Sequence, residues 1–148
     1  MMVFASLVIL LLTIVFFILA YIPFSFGIYQ MASKQGLDMP WLAFIPLAQL
    51  YIVGLIVREI RFQSYQIPQP QLVLPLAVIL GWIVNRIPLI NLVYSLALCA
   101  LMILTTYRLY SIYKRDSAML FTVLSLIPIV GSILILVVSQ YEPDYTTY

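Results

Sequence analysis

Residues 1–33 carry no charged side chain, and residues 72–110 are interrupted only by Asn85, Arg86, Asn91 and Arg108. Runs of this kind decide the solvent before anything else. A soluble domain has roughly a quarter of its residues charged, whereas here 8% are charged, 65% are hydrophobic and mean hydropathy is +1.14. That is too little charge to clothe a water-facing surface, and a bilayer is the solvent that fits. The expectation is an all-α polytopic membrane helix bundle forming a single transmembrane domain over residues 1–148. Net charge is +2, and no basic run is long enough to track nucleic acid, so nucleic acid is not an expected partner. Cys99 is the only cysteine, which leaves the redox compartment unread.

Helix length then divides the runs. Residues 3–29 read as a first span, retained rather than cleaved, because no basic segment precedes the apolar run and that run passes straight through 16–22. It exceeds the ~20 residues a bilayer needs, so it tilts or bends around Pro23. Residues 30–40 read as a polar turn in which Gly36 suits a helix stop after Lys34. Residues 41–57 read as the second span, opened by an interfacial Trp41 and closed by Arg58 and Arg61. Residues 58–71, with their glutamines and two prolines, read as a loop. As one straight helix, residues 72–110 would reach about 58 Å at about 1.5 Å per residue, roughly twice the hydrocarbon thickness. They must fold back, and Asn85-Arg86-Ile87-Pro88 is the best breaker. That gives spans at about 71–84 and 88–110, followed by 118–139 and a tyrosine-rich tail. The third is short, so the alternative is four spans with 71–84 re-entrant.

Five of the nine prolines follow isoleucine, and three of these open similar strings: IPLAQL at 45, IPLINL at 87 and IPIVGS at 127. The spacing suggests a degenerate internal repeat, although proline beside branched aliphatics is also common in membrane helices.

Polar residues fall into stripes. Asn91, Ser95, Cys99, Met102 and Thr106 lie within about 80° on an ideal helix, and Thr122, Ser125 and Ser132 align in the last span. Small and weakly polar faces are what membrane helices use to pack, and a solute path would use the same residue types. Gln49, inside the second span with Pro46, needs a hydrogen-bond partner.

Catalytic constellations are missing from the pattern. The chain has no histidine, and its five acids (Asp38, Glu59, Asp116, Glu142, Asp144) fall in loops or the tail. Neither a zinc nor a di-iron ligand set can be assembled within the spans. No phosphate-binding glycine loop is present, and no nucleophile has a base beside it. Catalytic, metal and cofactor residues are therefore expected to be none, and Arg86 reads as a snorkelling interfacial cation.

The stretch YQMASKQGLDMPWLAFIPLAQLYIVG, with Tyr29, Lys34, Gly36, Trp41, Ala43, Phe44, Ile45, Pro46 and Tyr51, resembles a group of small multi-spanning bacterial membrane proteins of unknown function. Their pattern is a tyrosine, a lysine–glycine turn and W-x-A-F-I-P-x-x-x-x-Y; Gln49 stands where asparagine is more usual. The resemblance implies a bacterial plasma membrane and brings no activity, substrate or catalytic residue.

With five spans, Arg58, Arg61, Arg108, Lys114 and Arg115 share one side against Lys34 and Arg86, which makes the 114–115 loop cytoplasmic and the tail extracytoplasmic. Four spans with a re-entrant third put the same loop and tail on the same sides but move Lys34 to the cytoplasm. The function expected is a non-enzymatic accessory or scaffold protein that binds the bilayer and other membrane proteins or itself. The alternatives are a small-solute transporter or channel and, remotely, an intramembrane enzyme. The candidate partner or packing residues are Lys34, Gly36, Trp41, Pro46, Gln49, Tyr51, Asn91, Ser95, Thr106, Thr122, Ser125 and Ser132.

Overall fold

The computed structural model describes residues 1–62 and 65–146. Helix α1 (Met2–Lys34) is continuous through Pro23. A short 3-10 helix (Pro40–Phe44), called here the 3-10 turn, leads into α2 (Pro46–Val57), and a two-stranded antiparallel ribbon follows, β1 (Ile60–Phe62) and β2 (Tyr65–Ile67). Then come α3 (Pro70–Val84), α4 (Pro88–Tyr113), α5 (Ala118–Leu124) and α6 (Pro128–Val138). The architecture is all-α apart from the ribbon, which forms within the segment expected to be a loop. Residues 63 and 64 of that segment, and 147 and 148 of the tail, lie outside the described residues.

Among the described residues, two helices are long and apolar enough to cross a membrane: Val3–Lys34 and Pro88–Tyr113. Helix α1 ends where Gly36 was expected to stop it. Gly36 takes φ +69°, its N–H donates to Ser33 O at 3.1 Å, and the Leu37 N–H reaches Ala32 O at 3.1 Å. This is the Schellman pattern that satisfies the last carbonyls of a helix.

The remaining elements form three hairpins that open toward this same end of the molecule. In the first, the chain leaves α1, runs back along it through the 3-10 turn, and reverses at Ile45-Pro46. The Tyr21 hydroxyl donates to Phe44 O at 2.8 Å, and Gln49 Nε2 to Ser25 Oγ at 3.2 Å, so α2 starts beside the middle of α1. At its other end the Tyr145 hydroxyl donates to Ile56 O at 3.0 Å, while the Asp144 N–H donates to Ile112 O at 2.8 Å. The second hairpin is α3–α4, with the Tyr94 hydroxyl donating to Ala77 O across it. The third is α5–α6. Ser139 Oγ donates to Gln30 Oε1 at 2.7 Å and Lys34 Nζ to Ser139 O at 2.6 Å, which brings the end of α6 to the end of α1.

Each reversal has one physical cause. Proline lacks an N–H and disfavours helical backbone in the residue before it, so Ile45, Ile87 and Ile127 are extended (φ/ψ −104/120°, −119/105° and −91/112°). In all three the isoleucine N–H closes the previous helix on the carbonyl three residues back, at 3.0 to 3.1 Å. Its carbonyl then accepts the first bond of the next helix, from Gln49, Asn91 or Gly131.

The spans expected at 41–57 and 118–139 therefore need correction. Each is two short pieces folded back at Ile-Pro, not one helix. Helices α2 and α6 have 12 and 11 residues, about 18 and 16 Å at about 1.5 Å per residue, roughly half a 30 Å hydrocarbon layer. The segment 71–84 forms one helix, α3, of 15 residues, shorter than the two candidate spans. Lys34 and the tail share an end of the bundle with Lys114, whose Nζ lies 5.2 Å from the Tyr141 ring centroid. The tail therefore lies at the same end of the bundle as the 114–115 loop. The reason is that both half-length hairpins return the chain to the end from which it left.

The core sits at this polar end. Ile28 and Met31 of α1, Ile52 and Ile56 of α2, Leu109, Tyr110 and Ile112 of α4, and Ile135 and Val138 of α6 are buried together. Backbones approach closely where glycine permits: a Cβ on Gly54 would lie 2.3 Å from Cα and N of Gln71, and one on Gly27 2.7 Å from Ile135 Cγ2. By contrast the first half of α1 and the far halves of α3 and α4 stand exposed.

Candidate functional site

The candidate residues divide into three places. Lys34 and Gly36 are at the polar end, in the turn already described. Asn91 and Ser95 are near the far tip of α3–α4, where Ser95 Oγ donates to Asn91 Oδ1 at 3.4 Å on an exposed surface. The other site residues except Trp41 and Tyr51 gather around the tips of the two short hairpins.

Gln49 and Pro46 open α2. The amide of Gln49 is 6% exposed and is matched by Ser25, itself fully buried, so the hydrogen-bond partner expected for this residue is a neighbouring helix. Thr106 of α4 meets Ser125 and Ser132 around a cavity of about 290 Å³ that Phe24, Pro128, Gly131 and Ile135 complete. Thr106 and Ser125, with Thr122, also line a cavity of about 260 Å³ on the α4–α5 side. Pro128, Ser132 and Phe24 border a third, about 320 Å³, which reaches Gln49, Phe16, Phe17, Ala20 and Tyr21. The two stripes read from the sequence therefore converge at Thr106, Thr122, Ser125 and Ser132, but Asn91 and Ser95 do not join them.

Helix geometry limits what these hydroxyls offer. Thr106, Thr122, Ser125 and Ser132 donate to the carbonyls of Met102, Ala118, Phe121 and Pro128 at 2.7 to 2.8 Å. Such back-bonding consumes the proton and leaves acceptor lone pairs. Because the Ser125 proton is on Phe121 O, Tyr110 is the donor in its 2.6 Å contact with Ser125 Oγ. The cluster can accept hydrogen bonds and hold helices together; it presents neither a base nor an activated nucleophile. Among the described residues no group of three His, Cys, Asp or Glu side chains is placed to hold a metal ion.

Trp41 is 55% exposed on the outward side of the first hairpin. Tyr51, on α2, lines a separate cavity of about 300 Å³ with Leu37, Asp38, Met39, Leu42, Ile52 and Leu55.

Ser25, Gln30, Ser139, Tyr21 and Tyr145 are not singled out by the sequence. Ser25 was the most visible of them, a lone hydroxyl between aromatics in an uncharged run. The spacing of Tyr107, Tyr110 and Tyr113 beside Arg108, Lys114 and Arg115 reads as an interfacial belt, and only the fold turns Tyr110 and Tyr113 inward.

Comparison with known proteins adds no assignment. No family model, curated protein or solved structure matches the chain.

Proposed function

We propose that this protein is a non-enzymatic accessory or scaffold protein of a bacterial plasma membrane, and that it binds other membrane proteins through the tips of its two half-length hairpins. One observation carries the reading. The tips are irregular backbone and are bare: Ile45 is 45% exposed, Leu126 67% and Ile127 56%. No side chain caps the first turn of α2 or α6, so helix geometry leaves the N–H groups of Leu47, Ala48, Ile129 and Val130 without a carbonyl one turn back. In a hydrocarbon layer such backbone is tolerated only when it is covered by protein or lines a water-filled cavity.

The depth supports it. Helix α4, at 26 residues, is about 39 Å long, close to the 40–45 Å of a bilayer with its headgroups. Hairpins about 16–18 Å deep that start from the Tyr113 end then finish near the midplane. Lys34, Arg58, Lys114 and Arg115 belong to that end and Arg86 to the opposite tip, a distribution that favours a cytoplasmic polar end, an extracytoplasmic N-terminus and a cytoplasmic tail. In this arrangement α1 and α4 cross, α3 runs beside α4 for about 22 Å, and the segments 40–57 and 118–138 are re-entrant. The plasma-membrane location follows the resemblance carried by Trp41, Phe44, Ile45, Pro46 and Tyr51.

A photo-crosslinking residue at Leu126 or Ile45, in native membranes, should trap discrete protein adducts, a partner or a second copy. The same residue at Leu12 on the exposed half of α1 should trap lipid. Lipid alone at all three positions would refute the reading.

A second reading, a small-solute path, is favoured by the three adjoining cavities around Thr106, Ser125 and Ser132. Thr106→Leu with Ser125→Leu tests it: flux falls while the fold survives if these residues line a path, and stability or partner retention falls if they pack.

A further inference from the structure

Gln49 is more than nine-tenths buried, yet only part of its amide is matched. One Nε2 hydrogen goes to Ser25 Oγ at 3.2 Å; among the described residues no group takes the second hydrogen or donates to Oε1. A polar group removed from water without a partner is costly. The same residue lines a cavity of about 320 Å³ between α1 and the starts of α2 and α6, a volume at the lower end of small-ligand pockets.

The rest of the lining says what would fit. Half of it is aromatic, Phe16, Phe17, Tyr21 and Phe24 of α1, and the Phe17 and Tyr21 rings already stack at 5.3 Å. Such walls favour another ring laid against them. Phe16 and Phe17 are exposed, so the cavity opens on the outer surface of the bundle, at the depth of the hairpin tips. Among the described residues that line it there is no carboxylate, lysine or arginine to match a charge, which selects an uncharged ligand. Its other polar groups have their protons engaged: Ser132 Oγ donates to Pro128 O and the Tyr21 hydroxyl to Phe44 O, each at 2.8 Å. Lone pairs on three oxygens therefore stand against one amide hydrogen. A site so rich in acceptors selects a ring that brings its own O–H.

We infer that this cavity binds a membrane-dissolved phenol, with its ring against the α1 aromatics and its O–H donating to Gln49 Oε1. This occupant shares the membrane placement proposed above but needs no protein partner at the tips.

The test uses the full chain in a neutral maltoside micelle at pH 7, where a phenol is un-ionised, with uptake by empty micelles subtracted. The probes are 4-butylphenol and 4-butylanisole, the methyl ether that keeps the ring and alkyl arm but lacks the donor. The phenol should bind about fivefold more tightly, the size of one net hydrogen bond. Gln49→Leu should abolish that preference while the ether binds as before. Ala20→Leu, which fills the cavity from α1 and leaves Gln49 in place, should weaken both probes at least fivefold. Equal binding of the two probes would mean that any apolar body fills the space, and overturns the inference. So does a phenol preference that survives Gln49→Leu, or binding that Ala20→Leu leaves unchanged. Protein adducts at Ile45 and Leu126 with equal probe binding would sink this proposal alone; lipid alone at those positions with a Gln49-dependent phenol preference would sink only the other.

Discussion

Replacing Gly54 by alanine should damage this fold more than any other single methyl group added at a glycine discussed above. The new Cβ would sit 2.3 Å from both Cα and N of Gln71 and 2.6 Å from the Pro70 carbonyl carbon. Ordinary contact begins at 3.4 Å, so α2 and α3 must separate by more than 1 Å (3.4 − 2.3). The obstructing atoms are backbone and cannot rotate away. Separation disturbs α2, whose Ile52, Ile56 and Val57 are among the most buried residues of the core. Overpacking of this kind costs about 1–3 kcal/mol, occasionally more, and the upper figure applies because backbone meets backbone. At about 2–4 °C per kcal/mol for a chain of this size, the thermal midpoint in detergent should fall by roughly 6–12 °C. Gly27→Ala meets Ile135 Cγ2 at 2.7 Å, with backbone at 3.0 Å, and should fall between. Gly36→Ala has open space but φ +69°, a left-handed backbone costing about 1 kcal/mol, so its midpoint should drop by about 2–4 °C. A Gly54→Ala midpoint within 2 °C of the parent, or a Gly36→Ala loss larger than the Gly54→Ala loss, would refute the close approach of α2 and α3.

Two further outcomes follow from single contacts. Gln49→Leu removes the 3.2 Å bond to Ser25; hydrogen bonds between membrane helices average about 0.6 kcal/mol, so the midpoint should move by only about 1–3 °C, and a fall as large as that of Gly54→Ala would show that the amide does more than join two helices. Tyr145→Ala removes both the bond to Ile56 O and the ring lying 3.9 Å under the Arg58 guanidinium. Trypsin should then cut after Arg58 faster than in the parent, and an unchanged rate would mean that the tail does not hold the end of α2.

Much of the local structure was legible because it depends on neighbours in sequence. Gly36 after Lys34 spelled a helix stop, and Ile87-Pro88 after Asn85-Arg86 spelled a turn between two apolar runs. Gln49 required a partner because an amide in an apolar helix cannot be left alone. The chain reversals at Ile45 and Ile127 were not legible in the same way. A run such as 41–57 has the composition of a crossing helix whether the chain continues at Ile45 or reverses there. The decision rests on contacts distant in sequence, Tyr21 with Phe44 and Gln49 with Ser25, which a helical stripe cannot reveal. The same holds for the site. The spacing of Thr106 and of Thr122, Ser125 and Ser132 marked two faces, but their meeting depends on α5 being only seven residues long, so that Ser125 stops beside Tyr110. Asn91 and Ser95 shared the stripe of Thr106 yet lie nearer the other end of a helix about 39 Å long.

The central claim is that the segment between Lys34 and Arg58 returns to the side it left, and cysteine accessibility reads this directly. In a Cys99→Ala background, Ser33→Cys, Pro68→Cys, Ser117→Cys and Arg86→Cys are each exposed to a membrane-impermeant maleimide in intact cells and in inverted vesicles. The first three should label only in inverted vesicles and Arg86→Cys only in intact cells. Labelling of Ser33→Cys and Pro68→Cys from opposite sides would mean that residues 41–57 cross the membrane, and would contradict the account.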